Sequence, residues 1–421
     1  MGLFKDHGID PNYAGEAIEN RWWRNPFYKD KCRRSGIKGP EMLHEMIDSG
    51  DLAGIPVVSD TDAKMLVEED DDGVKMGGKT LELTGGLIEN IPPSETLYMD
   101  TSSGEDNPDC VFRTEEEVNT ITENYGRTFQ RPGRTTWDHL ISFFPSLSSL
   151  ERSETKAYGR ARKAGLLPND RKVIPRRQAR SGLLAATEMC EDTETTLLRH
   201  ILPITILNST ILRPWKHGAA HVIPDYQRTI EFLRGLEDSD LNALWGASPI
   251  LMYLFMKRIH EKETFDFNGR LDIHGGGGGY RGVKGGLRIK GGIDQEVYID
   301  MMRYSFGVYP SETYGYTGQT HAIKLRWNPE RTWADSDRGG EERIGAYEAR
   351  IPEDVEGNAI VYAFNPLKGE VVEEGPGLVR ALNFDGGHAQ FDGAMQVYDR
   401  VYVNKKGIIF GIRGLGSKYG C

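Results

Sequence analysis

Five consecutive glycines at positions 275–279, followed by Tyr280, Arg281 and Gly282, constrain the fold of this chain more than any other feature. Glycine loses more conformational entropy on folding than any other residue and adds no side chain to a core. We therefore infer that packing does not explain the run. Such a run lets the backbone approach a ligand closely, as at the carboxyl ends of strands in an open α/β sheet. Residues 265–273 alternate between apolar and polar and predict a strand that leads into this loop.

A second glycine-containing loop is predicted at residues 314–320, which read Tyr-Gly-Tyr-Thr-Gly-Gln-Thr. Residues 304–309, which precede it, are rich in aromatic side chains and predict another strand. Both loops are thus expected at strand ends of an α/β fold, where ligands commonly bind.

Length and charge limit the class of protein. A chain of 421 residues is long enough for two or three subdomains with a sizeable core. A formal net charge of −11 argues against non-specific binding to nucleic acid. The sequence has no run of about 18 apolar residues and no apolar signal core at its start, so we expect neither a membrane span nor export.

The four cysteines, Cys32, Cys110, Cys190 and Cys421, lie far apart and include no CxxC pair. This spacing predicts reduced thiols in a cytoplasmic protein rather than a disulfide framework or a zinc site.

Helical segments are predicted at residues 1–60, 115–125 and 249–262. The second of these follows a Ser/Gly-rich stretch, and its N-terminus is expected to face bound phosphate. The acidic residues 68–73 predict a solvated loop.

Residues 150–180 carry a cluster of basic side chains, for which two alternatives stay open. The cluster could be a solvated face, or it could be a landing site for an acidic partner such as an acyl carrier protein or the phosphates of CoA. The cluster consists of Arg160, Arg162, Lys163, Arg171, Lys172, Arg176, Arg177 and Arg180.

Five segments, taken in order, resemble the adenylate-forming enzymes, and within them the branch of acyl-protein synthetases and phenylacetate-CoA ligases. They cover nearly the whole chain, which makes the set stronger than any one segment. The segments are residues 22–58 with Asn-Pro-Phe-Tyr and Ile-Pro, residues 100–108, the pair of glycine loops counted as one, residues 377–385 and residues 407–414.

The resemblance implies an α/β fold, the large domain of adenylate-forming enzymes. This domain has layered α/β subdomains and a small β subdomain, and the C-terminal lid is largely absent. Residues 1–95 would form an N-terminal helical and α/β segment of the large domain. Residues 96–330 would form the core that binds nucleotide and acyl group. Residues 331–421 would form a β-rich C-terminal part with a short tail that carries a cysteine.

The resemblance also implies a nucleotide site. The phosphates would contact Ser102, Ser103 and Gly104, and Thr317 would meet the α-phosphate. The adenine would stack on Tyr314, while Asp385 and Arg413 would hold the ribose. Each has a structural alternative: a turn at Tyr314, a hairpin loop at Asp385 and a surface cation at Arg413. The remaining implied contacts of the nucleotide and acyl channel are Gly277, Gly278, Gly279, Gly315, and, in the acyl pocket, His221 and Tyr280.

The chain departs from the family pattern in three places. Glu105 and Asp106 stand where the family prefers Thr-Thr-Gly, and the usual following Lys is missing. Gly318 replaces the Glu that binds magnesium after Tyr-Gly-x-Thr. Arg281, a candidate catalytic residue, takes the position of a Lys. Two carboxylates beside a triphosphate repel it unless Mg²⁺ bridges them, so this loop either holds Mg²⁺ through Glu105 or Asp106 or binds nucleotide poorly.

The last residue, Cys421, is the candidate acyl acceptor. It resembles the Arg-Gly-Cys cysteine near the end of acyl-protein synthetases, and two glycines precede it in the tail. A thiolate is a strong nucleophile, and a thioester keeps the acyl group transferable. The alternative is a terminal cysteine without a role.

Two histidine groups have competing interpretations. His217 and His221 have the i,i+4 spacing of a metal pair, but no third ligand lies nearby. The family resemblance implies a wall of the acyl pocket instead, because family members place an aromatic residue or a histidine in the corresponding segment. His274, before the glycine run, could either stack beside the nucleotide or be a satisfied histidine at a strand end.

The implied function is ATP- and Mg²⁺-dependent activation of a fatty or aryl carboxylic acid, with transfer of the acyl group to Cys421. An acyl reductase or an acyl carrier protein would be the partner. One alternative is an acid-CoA ligase. Another is a degenerate, non-catalytic subunit that scaffolds a partner enzyme.

Overall fold

The structure is a computed structural model, and all structural statements concern the residues that it describes. These are residues 2–59, 67–70, 73–76, 87–101, 110–143, 154, 158–159, 162, 167–168, 170–177, 179–192, 201–203, 222–224, 226–276, 283–284, 287–316, 319–327, 347–404 and 407–410.

The α-helices of these residues are numbered in chain order. They are α1 (Leu3–Asp6), α2 (Pro11–Ala17), α3 (Pro26–Arg34), α4 (Pro40–Asp48), α5 (Glu115–Phe129), α6 (Ala179–Glu188), α7 (Tyr226–Glu237), α8 (Pro249–Ile259) and α9 (Gln295–Phe306). A π-helical turn at Ile18–Trp22 continues α2, and Ile88–Asn90 form a 3₁₀ turn.

The strands are numbered in the same way. They are β1 (Val58–Ser59), β2 (Val67–Asp70), β3 (Gly73–Met76), β4 (Leu97–Thr101), β5 (Cys110–Arg113), β6 (Trp137–Phe143), β7 (Val173–Arg177), β8 (Cys190–Asp192), β9 (Ile201–Pro203), β10 (Val222–Pro224), β11 (Ala243–Ala247), β12 (Leu271–Gly276), β13 (Val283–Lys284), β14 (Leu287–Arg288), β15 (Ser311–Tyr314), β16 (Ala322–Trp327), β17 (Tyr347–Ala349), β18 (Val355–Glu356), β19 (Ala359–Asn365), β20 (Glu370–Val371), β21 (Gly375–Asn383), β22 (Ala394–Asn404) and β23 (Gly407–Phe410).

One half of the main sheet is parallel, in the order β8-β6-β11-β12-β15. Helix α8 joins β11 to β12, and α9 joins β12 to β15, as parallel neighbours require. The strands are buried: all five residues of β11 are buried, and Trp245 packs against Phe143 and Phe255 at ring distances of 5.0 and 5.3 Å. The carboxyl ends of these strands therefore meet at one edge.

The other half is antiparallel, in the order β15-β16-β17-β23-β22-β21-β19-β20. The short strand β1 pairs in parallel with β22, so the N-terminal helices are fixed to the late strands. Trp22 stacks on Phe384 at 5.1 Å and Tyr28 on Phe391 at 4.1 Å. The predicted division of the chain near residues 95 and 330 stays a prediction.

A separate three-stranded sheet has the order β5-β4-β7. Strands β4 and β5 form an antiparallel pair, and β7 runs parallel to β4. Residues 102–109, between β4 and β5 in the chain, contain the predicted phosphate loop.

The predicted helices are present, but two of them end earlier than predicted: α4 ends at Asp48, before strand β1, and α8 ends at Ile259 rather than at residue 262. Helices α1–α4 occupy the N-terminal segment, and α8 begins at Pro249 as predicted. Helix α5 begins with a capping box, in which Glu117 N–H donates to Thr114 and the Glu117 carboxylate accepts from Thr114 N–H. This reciprocal pair satisfies donors that a helix start leaves open.

The predicted strand at residues 304–309 is wrong. Helix α9 continues to Phe306 and ends at Gly307, which has a positive φ of +68°. Its buried residues Tyr298, Met302 and Phe306 recur at helical spacing, whereas Tyr304 is 54% exposed, and strand β15 begins only at Ser311. The aromatic residues gave an apparent alternation that the helix accounts for.

The strand predicted at residues 265–273 begins later, at Leu271. Phe265 and Phe267 instead stack on each other in the core at 5.8 Å, ahead of β12.

The acidic loop predicted at residues 68–73 is also wrong in part. Glu68, Glu69 and Asp70 lie in β2, which pairs with β3 and places Glu68 opposite Lys75.

The described members of the basic cluster divide between the interior and the surface. The side chains of Arg171 and Arg176 are 3% and 4% exposed, and Arg180 pairs with Glu154 at 2.6 Å. Arg171 and Arg176 are therefore internal and belong to neither alternative, whereas Lys172 and Arg162 are exposed. For the cluster as a whole both alternatives stay open.

Candidate functional site

Two predicted loops begin side by side at the carboxyl edge of the parallel strands. Strands β12 and β15 are parallel neighbours, and Gly275 and Gly276 lie opposite Glu312 and Thr313. The glycine run continues directly from β12, and Gly315 directly follows β15. Ligands of open α/β sheets bind at this edge, so the fold brings together the two segments that sequence predicted for a nucleotide.

Packing does explain the first glycine of the run, contrary to our expectation. A Cβ atom on Gly275 would lie 2.9 Å from Cγ of Glu312 on the neighbouring strand, whereas a Cβ on Gly276 would meet no described atom within 4 Å. The buried Glu312 side chain thus requires glycine beside it. For Gly277, Gly278 and Gly279, which lie outside the described residues, the ligand interpretation stays a prediction.

His274 is a satisfied histidine at a strand end. Its Nδ1 lies 2.8 Å from Oγ of Ser311 and its Nε2 lies 2.5 Å from Oγ1 of Thr313, and the ring is buried against Phe129. Burial, together with the charge of Lys324, lowers the pKa of His274 to about 3. Because both ring nitrogens are occupied, the structure favours the structural interpretation over stacking on a nucleotide.

Tyr314 and Gly315 have specific environments. The Tyr314 hydroxyl donates to Oδ2 of Asp399 at 2.7 Å. A Cβ on Gly315 would overlap the hydroxyl of Tyr125 and lie 2.7 Å from Nε2 of Gln319, so a larger residue here would displace the ends of these two side chains. Sequence reasoning missed Asp399; its one signal was the charged pair Asp399 and Arg400 inside the largely apolar strand β22.

The Asp385 carboxylate is engaged in hydrogen bonds within the protein. Asp385 is 8% exposed, and its carboxylate accepts hydrogen bonds from the Tyr13 hydroxyl at 3.0 Å, from Asn358 N at 2.8 Å and from Asn358 Nδ2 at 2.7 Å. The residue thus joins helix α2 to the turn before β19. Its predicted contact with ribose stays a prediction.

The N-terminus of α5 is occupied by acidic side chains. Glu115, Glu116 and Glu117 lie in its first turn, and the second carboxylate oxygen of Glu117 accepts from His388 N at 3.1 Å. These carboxylates complement the helix dipole, and they oppose the expected binding of phosphate at this end.

A buried ionic cluster connects three segments, and sequence reasoning did not find it. Arg113 donates through Nε to Oδ2 of Asp100 at 3.0 Å, through Nη1 to Oδ2 of Asp392 at 3.3 Å, and through Nη2 to the Gln319 carbonyl at 3.0 Å. The side chains of Arg113 and Asp100 are fully buried, and that of Asp392 is 3% exposed. Burial outweighs the neighbouring Arg113 and raises the pKa of Asp392 to about 8.

The loop after Gln319 is held from a second side. Asn124 Nδ2 on α5 donates to the Thr320 carbonyl at 2.9 Å, and Thr320 Oγ1 bonds to Oδ1 of Asn383 at 2.6 Å. His321 follows, fully buried, and burial lowers its pKa to about 4. Among the described residues its ring nitrogens have no hydrogen-bond partner.

A polar pocket of about 230 Å³ lies beside the start of α5 and contains none of the predicted nucleotide-binding residues. Arg21, Thr114, Glu116 and His388 line it. Arg21 Nη1 lies 2.6 Å from His388 Nε2, so its charge is engaged within the protein.

Within the described ranges, no group of three or more His, Cys, Asp or Glu side chains has the arrangement of a metal site. No helix in the same ranges is long and apolar enough to cross a bilayer. Most predicted site residues lie outside these ranges, and their roles stay predictions. They are Ser102, Ser103, Gly104, Glu105, Asp106, His221, Gly277, Gly278, Gly279, Tyr280, Arg281, Thr317, Arg413 and Cys421.

Comparison with solved structures shows the fold. The chain is similar to 2-hydroxyisobutyryl-CoA ligase in an open conformation in complex with 2-HIB-AMP and CoA, with a TM-score of 0.50 and 10% identity over 97% of this chain and 74% of the ligase. It is also similar to the same ligase in its thioesterification state, with a TM-score of 0.50 and 12% identity over 98% of this chain and 69% of the ligase. No protein-family model matches the sequence, and comparison with curated proteins gives no match. The chain therefore has the α/β fold of adenylate-forming enzymes.

Proposed function

We propose that the protein uses ATP to activate a carboxylic acid as an acyl-adenylate. The observation that carries the proposal is the placement of the two glycine-containing segments on the adjacent parallel strands β12 and β15, at the sheet edge where α/β folds bind ligands. The similar ligase was solved with an acyl-AMP, which supports this choice of reaction.

In this reaction the substrate carboxylate attacks the α-phosphorus of ATP. A new bond joins the acyl oxygen to phosphorus, the bond between the α- and β-phosphates breaks, and pyrophosphate leaves with its electron pair. The protein contributes positioning and neutralisation of charge rather than a covalent step. We assign Ser102, Ser103 and Gly104 to the phosphates and Thr317 to the α-phosphate.

For the ribose we propose Asp399 beside the predicted Asp385. Asp399 is supported by its contact with Tyr314, the proposed adenine-stacking residue, whereas the known partners of Asp385 are Tyr13 and Asn358. The matched variants Asp399→Asn and Asp385→Asn decide between them, because each replaces one oxygen by NH₂ at nearly constant volume. Weaker ATP binding in only one variant, measured by calorimetry, identifies the ribose carboxylate.

We propose that Mg²⁺ neutralises the phosphates through Glu105 or Asp106, because Gly318 supplies no side-chain ligand where the family has Glu. Neutralising both, as Glu105→Gln with Asp106→Asn, should raise the Mg²⁺ concentration needed for half-maximal activity. Tighter use of ATP by that variant would instead mean that the two carboxylates merely repel the nucleotide.

The acyl group would next pass to a thiol, either Cys421 or CoA. Cys32 and Cys190 are poor candidate acceptors because both thiols are buried, and burial raises the pKa of each to about 12; the side chain of Cys110 lies outside the described ones. These buried thiols also fit the expected reducing, cytoplasmic setting. An acyl reductase or an acyl carrier protein is the proposed recipient of the activated group.

The decisive experiment is ATP–pyrophosphate exchange with a panel of fatty, aromatic and 2-hydroxy acids. Exchange with one class identifies the substrate class. Absence of exchange with every acid, together with no ATP binding by calorimetry, would reject the enzyme and favour a scaffold subunit.

The acceptor is then identified with a labelled acid, ATP and Mg²⁺. A hydroxylamine-sensitive label on the protein that disappears in Cys421→Ser, while pyrophosphate exchange continues, indicates an acyl-protein synthetase. Label on added CoA, with Cys421→Ser equal to wild type, indicates an acid-CoA ligase.

A further inference from the structure

The guanidinium of Arg113 is the described group that contacts both segments assigned to the triphosphate. Its Nε bonds to Asp100 on β4, two positions before Ser102. Its Nη2 bonds to the carbonyl of Gln319, two positions after Thr317. The two segments are more than 200 positions apart in the chain, so the contact is one that only the folded protein makes.

We propose that Arg113 is a positioning residue, which fixes the β4–β5 pair and the loop after β15 at one separation so that both reach the same triphosphate. The inference rests on the proposed function and assigns to Arg113 the role of holding the two segments of that site in place. Arg113 itself is fully buried and is not assigned to touch the nucleotide.

The geometry uses properties that are specific to arginine. Three nitrogens of one planar group bond to three acceptors on three separate segments, at 3.0, 3.0 and 3.3 Å. A lysine carries a single ammonium on a flexible stem and cannot reproduce this fixed fork. Arg113→Lys therefore keeps the charge and removes the defined spacing.

The charges around Arg113 keep it ionised. Burial lowers its pKa, but Asp392 and Asp100 raise it by more, so the net shift is upward. A buried charge without partners is strongly unfavourable, and the fork satisfies it through two carboxylates and one carbonyl. The loop carbonyl of Gln319 is thus fixed by a charged donor, which makes stronger hydrogen bonds than a neutral one.

A small displacement of a positioned group reduces catalysis sharply, and about 1 Å of misplacement costs about 100-fold. Pyrophosphate exchange by Arg113→Lys at saturating ATP should therefore fall about 10- to 100-fold in kcat. The KM for the acid should change by less than about threefold, because the acyl pocket is assigned to other segments.

The second readout is hydrogen exchange, which does not depend on activity. In Arg113→Lys the amides of residues 97–101 and of residues 319–323 should both exchange faster, since one side chain links them. A purely local structural role would affect the β4–β5 pair alone.

The matched control is Arg134→Lys. Arg134 also bonds through Nη1 to a carboxylate, Oδ2 of Asp272 at 2.9 Å, but near the amino-terminal end of β12, away from the glycine run. The Arg134→Lys variant should leave kcat within about twofold of wild type and should not change hydrogen exchange at residues 97–101 or 319–323.

Wild-type kcat in Arg113→Lys, or faster exchange in only one of the two segments, would overturn the inference. If Arg113→Lys does not fold, Asp100→Asn gives the same test in milder form, because it removes the charge that fixes Arg113 to β4. Wild-type kcat and wild-type hydrogen exchange in Asp100→Asn would overturn the inference equally. If the wild-type protein activates no acid, the proposed function fails while the exchange comparison still decides whether Arg113 links the two segments.

Discussion

The parallel half of the main sheet and the buried cluster around Arg113 stabilise the protein in different ways. In the parallel half, Trp245 packs among aromatic rings between strands and helices that follow one another in the chain. Around Arg113, three directional bonds join segments far apart in sequence. Apolar packing tolerates small shifts of its members, whereas a charged fork fixes acceptor positions closely. The first region therefore supplies a scaffold and the second supplies precise placement.

The largest expected effect is in the apolar region. Trp245→Ala should lower the free energy of unfolding by about 3–5 kcal/mol, because it removes a fully buried ring and leaves a cavity. Urea unfolding measures the loss, and Leu367→Ala, at a side chain that is 96% exposed, is the control that should change little. A loss near 1 kcal/mol for Trp245→Ala would mean that this core collapses around the cavity and is a poor scaffold.

The second prediction concerns the loss of stability at acid pH and compares the two buried histidines, His274 and His321. The pKa of His274 is about 3 and that of His321 about 4 in the folded protein, both below the unfolded value near 6.5. The unfolded chain therefore binds protons first, and stability is lost as pH falls from about 6.5 towards 4. Between pH 7 and pH 5 each histidine should contribute a loss on the order of 2 kcal/mol.

His321→Leu isolates one of these contributions. The variant should lose less stability than wild type between pH 7 and pH 5, by about 2 kcal/mol in urea unfolding. Asp392 works in the opposite direction, since its folded pKa of about 8 favours the native state at lower pH, and the difference between variant and wild type removes that effect. Equal pH dependence in both proteins would show that His321 is protonated in the fold.

Sequence predicted the parallel half better than the cluster, for physical reasons. Residues 249–259 form a helix because their apolar side chains repeat at helical spacing, and such local patterns are visible in a sequence. The bond between Arg113 and Asp392 spans 279 positions and leaves no local signal. The error at residues 304–309 has the same origin, because an aromatic-rich stretch at a helix end resembles a strand until the tertiary context decides.

The candidate site divides in the same way. Its two glycine loops were found from composition and order, and the fold places their starting points on neighbouring strands. The contacts of Asp385, Asp399 and Gly315 depend on residues elsewhere in the chain, so the sequence could not show which carboxylate faces Tyr314.

A smaller effect tests whether the cluster acts as a unit. Arg113→Met and Asp392→Asn should be non-additive, with a coupling of about 1–2 kcal/mol in the free energy of unfolding, because both act on one buried bond. The reference pair, Arg113→Met with Leu367→Ala, should be additive within about 0.5 kcal/mol. Additivity in the first pair would mean that Arg113 and Asp392 contribute independently and that the cluster does not fix placement.

The smallest expected effect is at Tyr314, where the scaffold meets the proposed ligand. Tyr314→Phe keeps the ring for stacking and removes the hydroxyl that donates to Asp399 at 2.7 Å. A hydrogen bond to a charged group contributes about 1.5–3 kcal/mol when buried, and both residues here are only partly buried, so solvent reduces the loss to about 1 kcal/mol. Urea unfolding should accordingly show a loss of about 1 kcal/mol, and calorimetry should show up to about fivefold weaker ATP binding where the bond also orients the ring for stacking. Tyr309→Phe, at a side chain that is 47% exposed and outside the proposed site, is the control and should bind ATP as wild type does. Unchanged affinity for ATP in Tyr314→Phe would mean that the Tyr314–Asp399 contact plays no part in nucleotide binding. Asp385 would then be the better candidate for the residue that binds the ribose.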